Sequence, residues 1–394
     1  MDFSRVPLSD DDLAFVGRVR TSLQACVTDD VIRRDRETGE NFDESVHVAL
    51  GEQGFLAGDF LVESDGGFSP VQRRIWELEV GRARTPWFHW GTTAMVGRIV
   101  RALGSPELAD EVLPGVLSGQ IRMCLGFTEP DGGSDVATCK TRAVRDGDVW
   151  VVDGSKMYTS NAHHSRYVFL LTNTDPTAPK HRSLTMFLVP LDTTGIEIQG
   201  IRTVDGDRTN VVFYDGVRVD DRYRIGDVND GWSVMREALK VEHGIRERDD
   251  QGLQALSTMS HHGTLMAQAV DGVGAMIGDV KADGRRLVDD GSVGFRFGRI
   301  VARMEAALSA SGMFGRVALA QTMRDIAPEL MDVAGSASSL PADTPGSVDD
   351  GAVEHLFRLA VPTGIYGGTL EVFRNMIAQN VLGLGRPSYS PVTK

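Results

Sequence analysis

Two short stretches of this chain carry the residue types needed to hold a charged or polarised ligand. The first, Phe127-Thr128-Glu129-Pro130-Asp131-Gly132-Gly133-Ser134-Asp135, is a loop by composition. Proline fixes one turn, two glycines permit positive φ, and Thr and Ser set hydroxyls among exposed backbone N–H groups. Such a loop suits a polar, flat or phosphorylated ligand. The second, Tyr366-Gly367-Gly368-Thr369, is a glycine turn running into a helix. Unpaired N–H groups at the positive end of that helix, with the Thr hydroxyl, would seat a diphosphate or a developing oxyanion. Each stretch also has a plain structural reading, as a surface loop beside a hairpin and as an ordinary helix start.

The elements that position these stretches follow from periodicity. After the loop, Val149-Trp150-Val151-Val152 alternates, turns at Asp153-Gly154 and resumes at Lys156-Met157-Tyr158-Thr159-Ser160, which predicts a hairpin sharing one sheet with the loop. Upstream the period is helical. Ser9-x-x-Asp12 predicts a cap on a helix with Leu13, Val16, Val19, Leu23, Cys26 and Val27 as its apolar stripe. Residues 46–56 form a glycine-interrupted candidate, and Ser69-Pro70 and Ser105-Pro106-Glu107 are N-cap signals for two more helices. Thr85 to Trp90 is an aromatic cluster read as a core plug.

From Cys124 the period changes to two, through 167–171, 184–189 and 211–214, and the β region closes near Gly231. Helical spacing then returns through Trp232, Met235, Leu239 and Glu242, and long alanine-rich segments such as 301–323 predict an antiparallel bundle, with 341–351 a loop between helices. The fold class expected is α+β: an N-terminal all-helical domain (1–121), a middle β domain (122–231) and a C-terminal helical bundle (232–394).

Composition narrows the function classes. A chain of 394 residues, 41% hydrophobic and 24% charged, can bury a large core. Its net charge of −14 opposes any sequence-independent grip on nucleic acid or anionic lipid. Cys26, Cys124 and Cys139 lack metal or disulfide spacing and fit reduced thiols. Neither a leader-like N-terminus nor a membrane-length apolar window is expected, so a cytoplasmic protein without membrane insertion is.

The run T-E-P-x-x-G-S-D at Thr128 to Asp135, then G-x-K-x-Y-x-S-N at Gly154 to Asn161, then Y-x-G-T-x-E-x-x-R-x-x-I-A at Tyr366 to Ala378, resembles the signatures of the acyl-CoA dehydrogenase family of flavoproteins. The resemblance spans nearly the whole chain. It implies FAD as cofactor, an acyl-CoA substrate desaturated to the trans-2-enoyl thioester, an electron-transfer flavoprotein as electron acceptor, and a homo- or heterotetramer. By the same resemblance Phe127 and Thr128 would meet the flavin pyrimidine edge and Ser134 the pyrophosphate. Tyr158 would lie against the isoalloxazine and Ser160 would bond flavin N5, with Thr369 and Glu371 as C-terminal contacts to FAD.

That chemistry needs a base on one face of the acyl chain and the flavin on the other. Many family members carry a Glu as base where this chain has Gly367. A minority place it eleven residues after the glycine that opens the first helix of the C-terminal domain, and counting from Gly231 gives Glu242. Without the family, Glu242 reads as a surface residue paired with Arg246 one turn on. The Gly367 backbone N–H still offers a donor to the thioester carbonyl. Three departures stand beside these matches: His243 where Arg is common, Lys281-Ala282-Asp283-Gly284 where an arm reaches a partner's FAD, and residues 329–335 in place of a Gln-x-x-Gly-Gly segment. They count against cross-subunit FAD contacts of the usual kind. Gly-Gly-Thr with Glu242, 283–287 and 381–384 resembles actinobacterial members, several of which are two-gene heterotetramers acting on steroid side chains. Two other readings stay open: a catalytically incomplete partner subunit of such a heteromer, and a dehydrogenase for a carrier-protein thioester.

Overall fold

The computed structural model describes residues 7–87, 89–242, 257–279, 281, 284–310 and 312–385. The chain divides into two compact units, residues 1–253 and 254–394.

The first unit opens with seven helices: α1 (Asp10–Cys26), α2 (Asp29–Thr38), α3 (Glu44–Glu52), α4 (Phe55–Phe60), α5 (Pro70–Arg82), α6 (Trp90–Leu103) and α7 (Pro106–Leu117). Their starts are set by short polar side chains. Ser9 and Ser69 each close a capping box, with Asp12 and Gln72, and the Ser105 hydroxyl accepts from Leu108 N. The buried stripe of α1 is Phe15, Val19 and Leu23, while Leu13, expected inside, is exposed. Spacing alone admitted both faces, and Phe15 wins because its ring meets Phe55 and Phe68 edge-on. Trp90 is buried and Trp87 meets Trp76 at 5.1 Å, as a core plug should; Phe88 lies outside the described residues.

Eight strands follow: β1 (Met123–Gly126), β2 (Arg142–Asp146), β3 (Val149–Lys156), β4 (Tyr167–Asn173), β5 (Leu184–Pro190), β6 (Ile196–Arg202), β7 (Arg208–Asp220) and β8 (Arg224–Ile225). They form one sheet in the order β6-β7-β3-β2-β4-β5-β8, with β1 parallel to β4. Because strand side chains alternate, β4 and β5 serve two cores at once. Tyr167, Phe169, Leu171, Leu184, Met186 and Leu188 join the helices in one core; Val168, Leu170, Phe187 and Val189 meet Trp150, Val152 and Tyr214 in the other. Helix α8 (Gly231–Glu242) adds Val234, Met235 and Ala238 to the helix-facing core. The hydroxyl of Thr93 on α6 accepts from Met123 N at 3.1 Å, tying helices to sheet.

The expected turn at Asp153-Gly154 is not there. The hairpin joins β2 to β3 through Gly147-Asp148, and β3 runs straight through Gly154 with a register slip against β7. Gly154 serves a bulge instead: its φ is 146°, and a Cβ there would stand 2.7 Å from Thr141 Cα. Replacing it with Val strains the backbone and drives into Thr141, so Gly154→Val is expected to lower stability by about 1–3 kcal/mol, read as a lower urea midpoint.

The second unit holds α9 (Ser257–Gly278), α10 (Gly291–Leu308), α11 (Gly312–Ala334), α12 (Ala352–Ala360) and α13 (Leu370–Met376). The alanine-rich run 301–323 supplies the end of α10 and the start of α11, with Ser309 and Ala310 outside both helices. Arg299–Glu329 (3.0 Å) and Arg296–Asp332 (3.2 Å) step in opposite directions along α10 and α11, so the pair is antiparallel. Glu329 and Asp332 are thus engaged within this unit. Met266, Val270, Val273, Met323 and Leu330 are among its core residues. No described helix is long and apolar enough to cross a membrane.

Candidate functional site

The loop after β1 is held from beneath by a buried ion pair. Glu129 N and Gly132 N exchange bonds with each other's carbonyls (3.0 and 3.1 Å), closing a tight turn around Pro130-Asp131. The Glu129 carboxylate turns inward and accepts from Lys156 Nζ (2.7 Å), Lys140 N (2.7 Å) and Thr141 N (2.9 Å). Lys156, at 0% exposure, also donates to Phe127 O at 3.2 Å. Burial alone would raise the Glu129 carboxyl, but the ammonium of Lys156 and the two backbone donors hold it down to about 2. Cys139 Sγ lies 3.2 Å from the carboxylate, and burial pushes its thiol up to about 11, so it stays protonated. Both ends of this pin sit inside the two sequence motifs, yet nothing in the spacing says that they meet.

The residues expected to face a ligand flank the pin in the chain. The Thr128 carbonyl accepts from Met157 N (2.8 Å), which brings the loop against the end of β3, and Phe127 packs on Phe169. Ser134 is exposed at the loop tip, which Lys140–Asp131 (2.8 Å) and Lys180–Asp135 pairs steady. Past β3 the chain enters an unusual stretch. Tyr158 and Asn161 have φ of 57° and 63°, and Tyr158 is 57% exposed. A bulky residue in left-handed backbone is an outlier of the kind found at ligand sites. Between them Thr159 N donates to Asn210 O (2.9 Å), and Ser160 Oγ lies 3.0 Å from Thr209 Oγ1. Thr159 Oγ1, Asn161 Oδ1 and Asn210 Oδ1 are buried without a partner. An outward aromatic ring, clustered hydroxyls and orphaned polar atoms fit a flat polar ligand with a phosphate tail, so the residues present are compatible with FAD.

In the second unit the glycine turn is clamped by two buried polar side chains, Arg316 and His262. Arg316 Nη2 donates to the carbonyls of Thr363 and Tyr366, each at 2.7 Å, and Tyr366 Oη lies 2.8 Å from His262 Nε2. Burial, then the neighbouring His261, pushes the His262 imidazole well below its ordinary range, so it is neutral. Gly367 and Gly368 follow at φ 62° and 92°, and a Cβ on Gly368 would stand 2.9 Å from the Phe373 ring. Thr369 spends its hydroxyl as the cap of α13, accepting from Val372 N at 3.3 Å. Glu371 is exposed, 3.6 Å from Arg374. Arg316 and His262 gave no sequence signal, being polar residues of amphipathic helices with no motif around them.

Thus Phe127, Thr128, Ser134, Tyr158 and Ser160 come together in the first unit, and Gly367, Thr369 and Glu371 in the second. Glu242 is the last described residue of α8, in helical register with the buried Met235 and Ala238. His243 and Arg246 lie outside the described residues, as do Ala282 and Asp283 of the arm.

Models of the acyl-CoA dehydrogenase N-terminal and middle domains match residues 9–120 and 124–217. The chain is 31% identical over 388 residues to acyl-CoA dehydrogenase FadE34 of Mycobacterium tuberculosis, covering 95% of this chain and half of that longer protein. It is 30% identical over 365 residues to FadE26 of the same organism, covering 86% of each. Among solved structures, a Tcur3481-Tcur3483 steroid ACAD superposes with a TM-score of 0.83 at 29% identity, covering 99% of this chain and 100% of that one. The ChsE4-ChsE5 complex from Mycobacterium tuberculosis does so with a TM-score of 0.82 at 26% identity, covering 98% and 100%.

Proposed function

The chain belongs to the acyl-CoA dehydrogenase family, and from that premise we propose that it is an FAD-dependent enzyme that desaturates an acyl-CoA thioester between its α and β carbons. The observation that carries this reading is Tyr158, an exposed aromatic ring on left-handed backbone two residues past Lys156 of the Glu129–Lys156 pin. In this reading Phe127 and Thr128 hold the pyrimidine edge, Ser134 the pyrophosphate, Tyr158 the ring face and Ser160 the N5 side, with Thr369 and Glu371 as further contacts. Bound FAD would supply the hydride acceptor for the β carbon.

The chain's own groups handle the proton and the developing charge. Glu242 takes the α proton, and the Gly367 N–H donates to the thioester carbonyl as it gains enolate character. A base on α8 leaves position 367 free to be a glycine, whose φ of 62° costs a side chain more than it costs glycine. Residues 1–121, 122–231 and 232–394 are read as the family's three domains. Electrons would leave to an electron-transfer flavoprotein, and the three unpaired thiols support a reducing compartment.

A second reading has support of its own. Glu329 and Asp332 are tied to α10 where the family reaches a partner's FAD, and the two solved relatives named above carry paired names. A heterotetramer in which this chain pairs with a second gene product fits those facts, as does a bulky substrate such as a steroid thioester. Exposed Phe295, Phe314, Ile365 and Leu384 offer apolar surface for assembly.

The test is to purify the chain alone, record its flavin spectrum and titrate acyl-CoAs of graded bulk anaerobically. A yellow protein bleached by one class of thioester is the expected result. A colourless chain that turns yellow only beside a co-expressed homologue would replace the first reading with the second, and bleaching by carrier-bound but not CoA-bound thioesters would reassign the substrate.

A further inference from the structure

One cluster of titratable groups has no part in the reading above. Glu40, just past α2, meets His163 and His164 in the turn that follows Asn161, and one ligand-type atom from each lies within 4.8 Å of the others. The composition is that of a metal cradle, but the hydrogen bonds assign a different use. The Asn210 carboxamide N–H₂ donates to Thr159 O at 2.9 Å and stands 3.2 Å from His163 Nδ1. A donor at Nδ1 makes that nitrogen the acceptor, so the ring proton sits on Nε2, where the Glu40 carboxylate accepts it. Arg208 Nη1 lies 3.3 Å from the other Glu40 oxygen. A metal ion would have to displace both the proton and the guanidinium.

We propose that Arg208, Glu40, His163 and Asn210 form a hydrogen-bond relay of positioning residues that holds the Tyr158 to Asn161 segment in its ligand-facing conformation. The proposal rests on the reading that this segment meets the flavin. Two left-handed residues in four persist only where the surroundings over-determine them. Asn210 supplies that constraint: its carbonyl and its carboxamide grip Thr159 N and Thr159 O, while its neighbour Thr209 reaches Ser160 Oγ. The carboxamide is in turn oriented by His163, His163 by Glu40, and Glu40 by Arg208. Arg208 stands two residues before Asn210 on β7, and its N–H donates to Gly39 O at 2.8 Å, next to Glu40. The relay is therefore a closed circuit between β7 and the end of α2. His164 (3.4 Å from Glu40) and the buried His89 flank it.

The experiment compares the 394-residue chain with its His163→Ala, His163→Asn and Glu40→Gln variants by amide hydrogen exchange without added FAD, and by FAD titration. In His163→Ala, exchange at Thr159 and Ser160 is expected to quicken about tenfold and FAD to bind about tenfold more weakly, the scale set by losing one buried partner. His163→Asn puts a carbonyl oxygen where Nδ1 accepted and should restore most of both. Glu40→Gln, a milder change, keeps the fold testable if the alanine variant fails to accumulate, and should move both readouts in the same direction. Unchanged exchange at those two amides in a folded variant overturns the relay. A wild-type chain that takes up no FAD, alone or beside a co-expressed homologue, overturns the flavin reading instead, while the exchange comparison still decides the relay.

Discussion

Glu242→Gln leaves the protein yellow and stops it bleaching with substrate, with turnover expected to fall by about 10²–10⁴-fold, or roughly 3–5 kcal/mol of barrier. The amide keeps the size of the side chain and its place three turns along α8 but cannot take a proton. Position 242 stands in helical register with Met235 and Ala238 of α8, both buried. Retention of FAD separates loss of the base from loss of the site, because no FAD contact is assigned to Glu242. Rapid anaerobic reduction measured by stopped flow is the direct check. Full-rate bleaching by the Gln variant would remove Glu242 from the mechanism and turn attention to another base.

Lys156→Met should be the most damaging single change to the fold. It leaves the Glu129 carboxylate buried against Cys139 with no counter-charge, a situation that costs about 3–5 kcal/mol. Adding Glu129→Gln removes the stranded charge, so the double variant should regain part of the loss, and urea unfolding of all three proteins measures the coupling. The pH dependence has a definite sign. A carboxylate held near 2 stabilises the native state at all pH above its unfolded value, about 4.3, and that contribution is lost as pH falls towards 2. The stability gap between wild type and Lys156→Met is therefore widest at high pH, begins to narrow where the variant's stranded carboxyl, raised by burial, takes up its proton, and closes as pH falls to about 2. The same variant should bind flavin weakly, since Lys156 also holds the Phe127 carbonyl.

What was legible in the sequence was local. Ser9, Ser69 and Ser105 announce helix starts because an N-cap needs only a hydroxyl and the N–H groups beside it. The unbroken β-branched and aromatic runs of β4 and β5 announce strands covered on both faces, although not which elements would cover them. Gly154 was misread because Asp-Gly is a turn signal in isolation, and only the approach of Thr141 reveals a bulge. The end of α10 at Leu308 was invisible because Ser309 and Ala310 suit a helix and a turn alike. At the site, Thr128, Ser134, Tyr158 and Ser160 stood out as hydroxyl and aromatic positions in a motif. Glu129 and Lys156 stood in the same motifs unremarked, since a pairing across 27 residues is a tertiary fact. Asn210, His163, Arg316 and His262 act through partners far away in the chain, and no spacing rule reaches them.

The double-sided burial of β4 and β5 also fixes where this polypeptide can be cut. A fragment beginning at β1 would lack α1–α7 and present Tyr167, Phe169, Leu171, Met186 and Leu188 to water as a continuous greasy wall, and one ending at β8 would lack Val234, Met235 and Ala238 of α8, which complete the same core. Such pieces should aggregate during expression. Cleavage sites, fusion joints and deletion series are better set beyond α8, where the lid on that wall is complete.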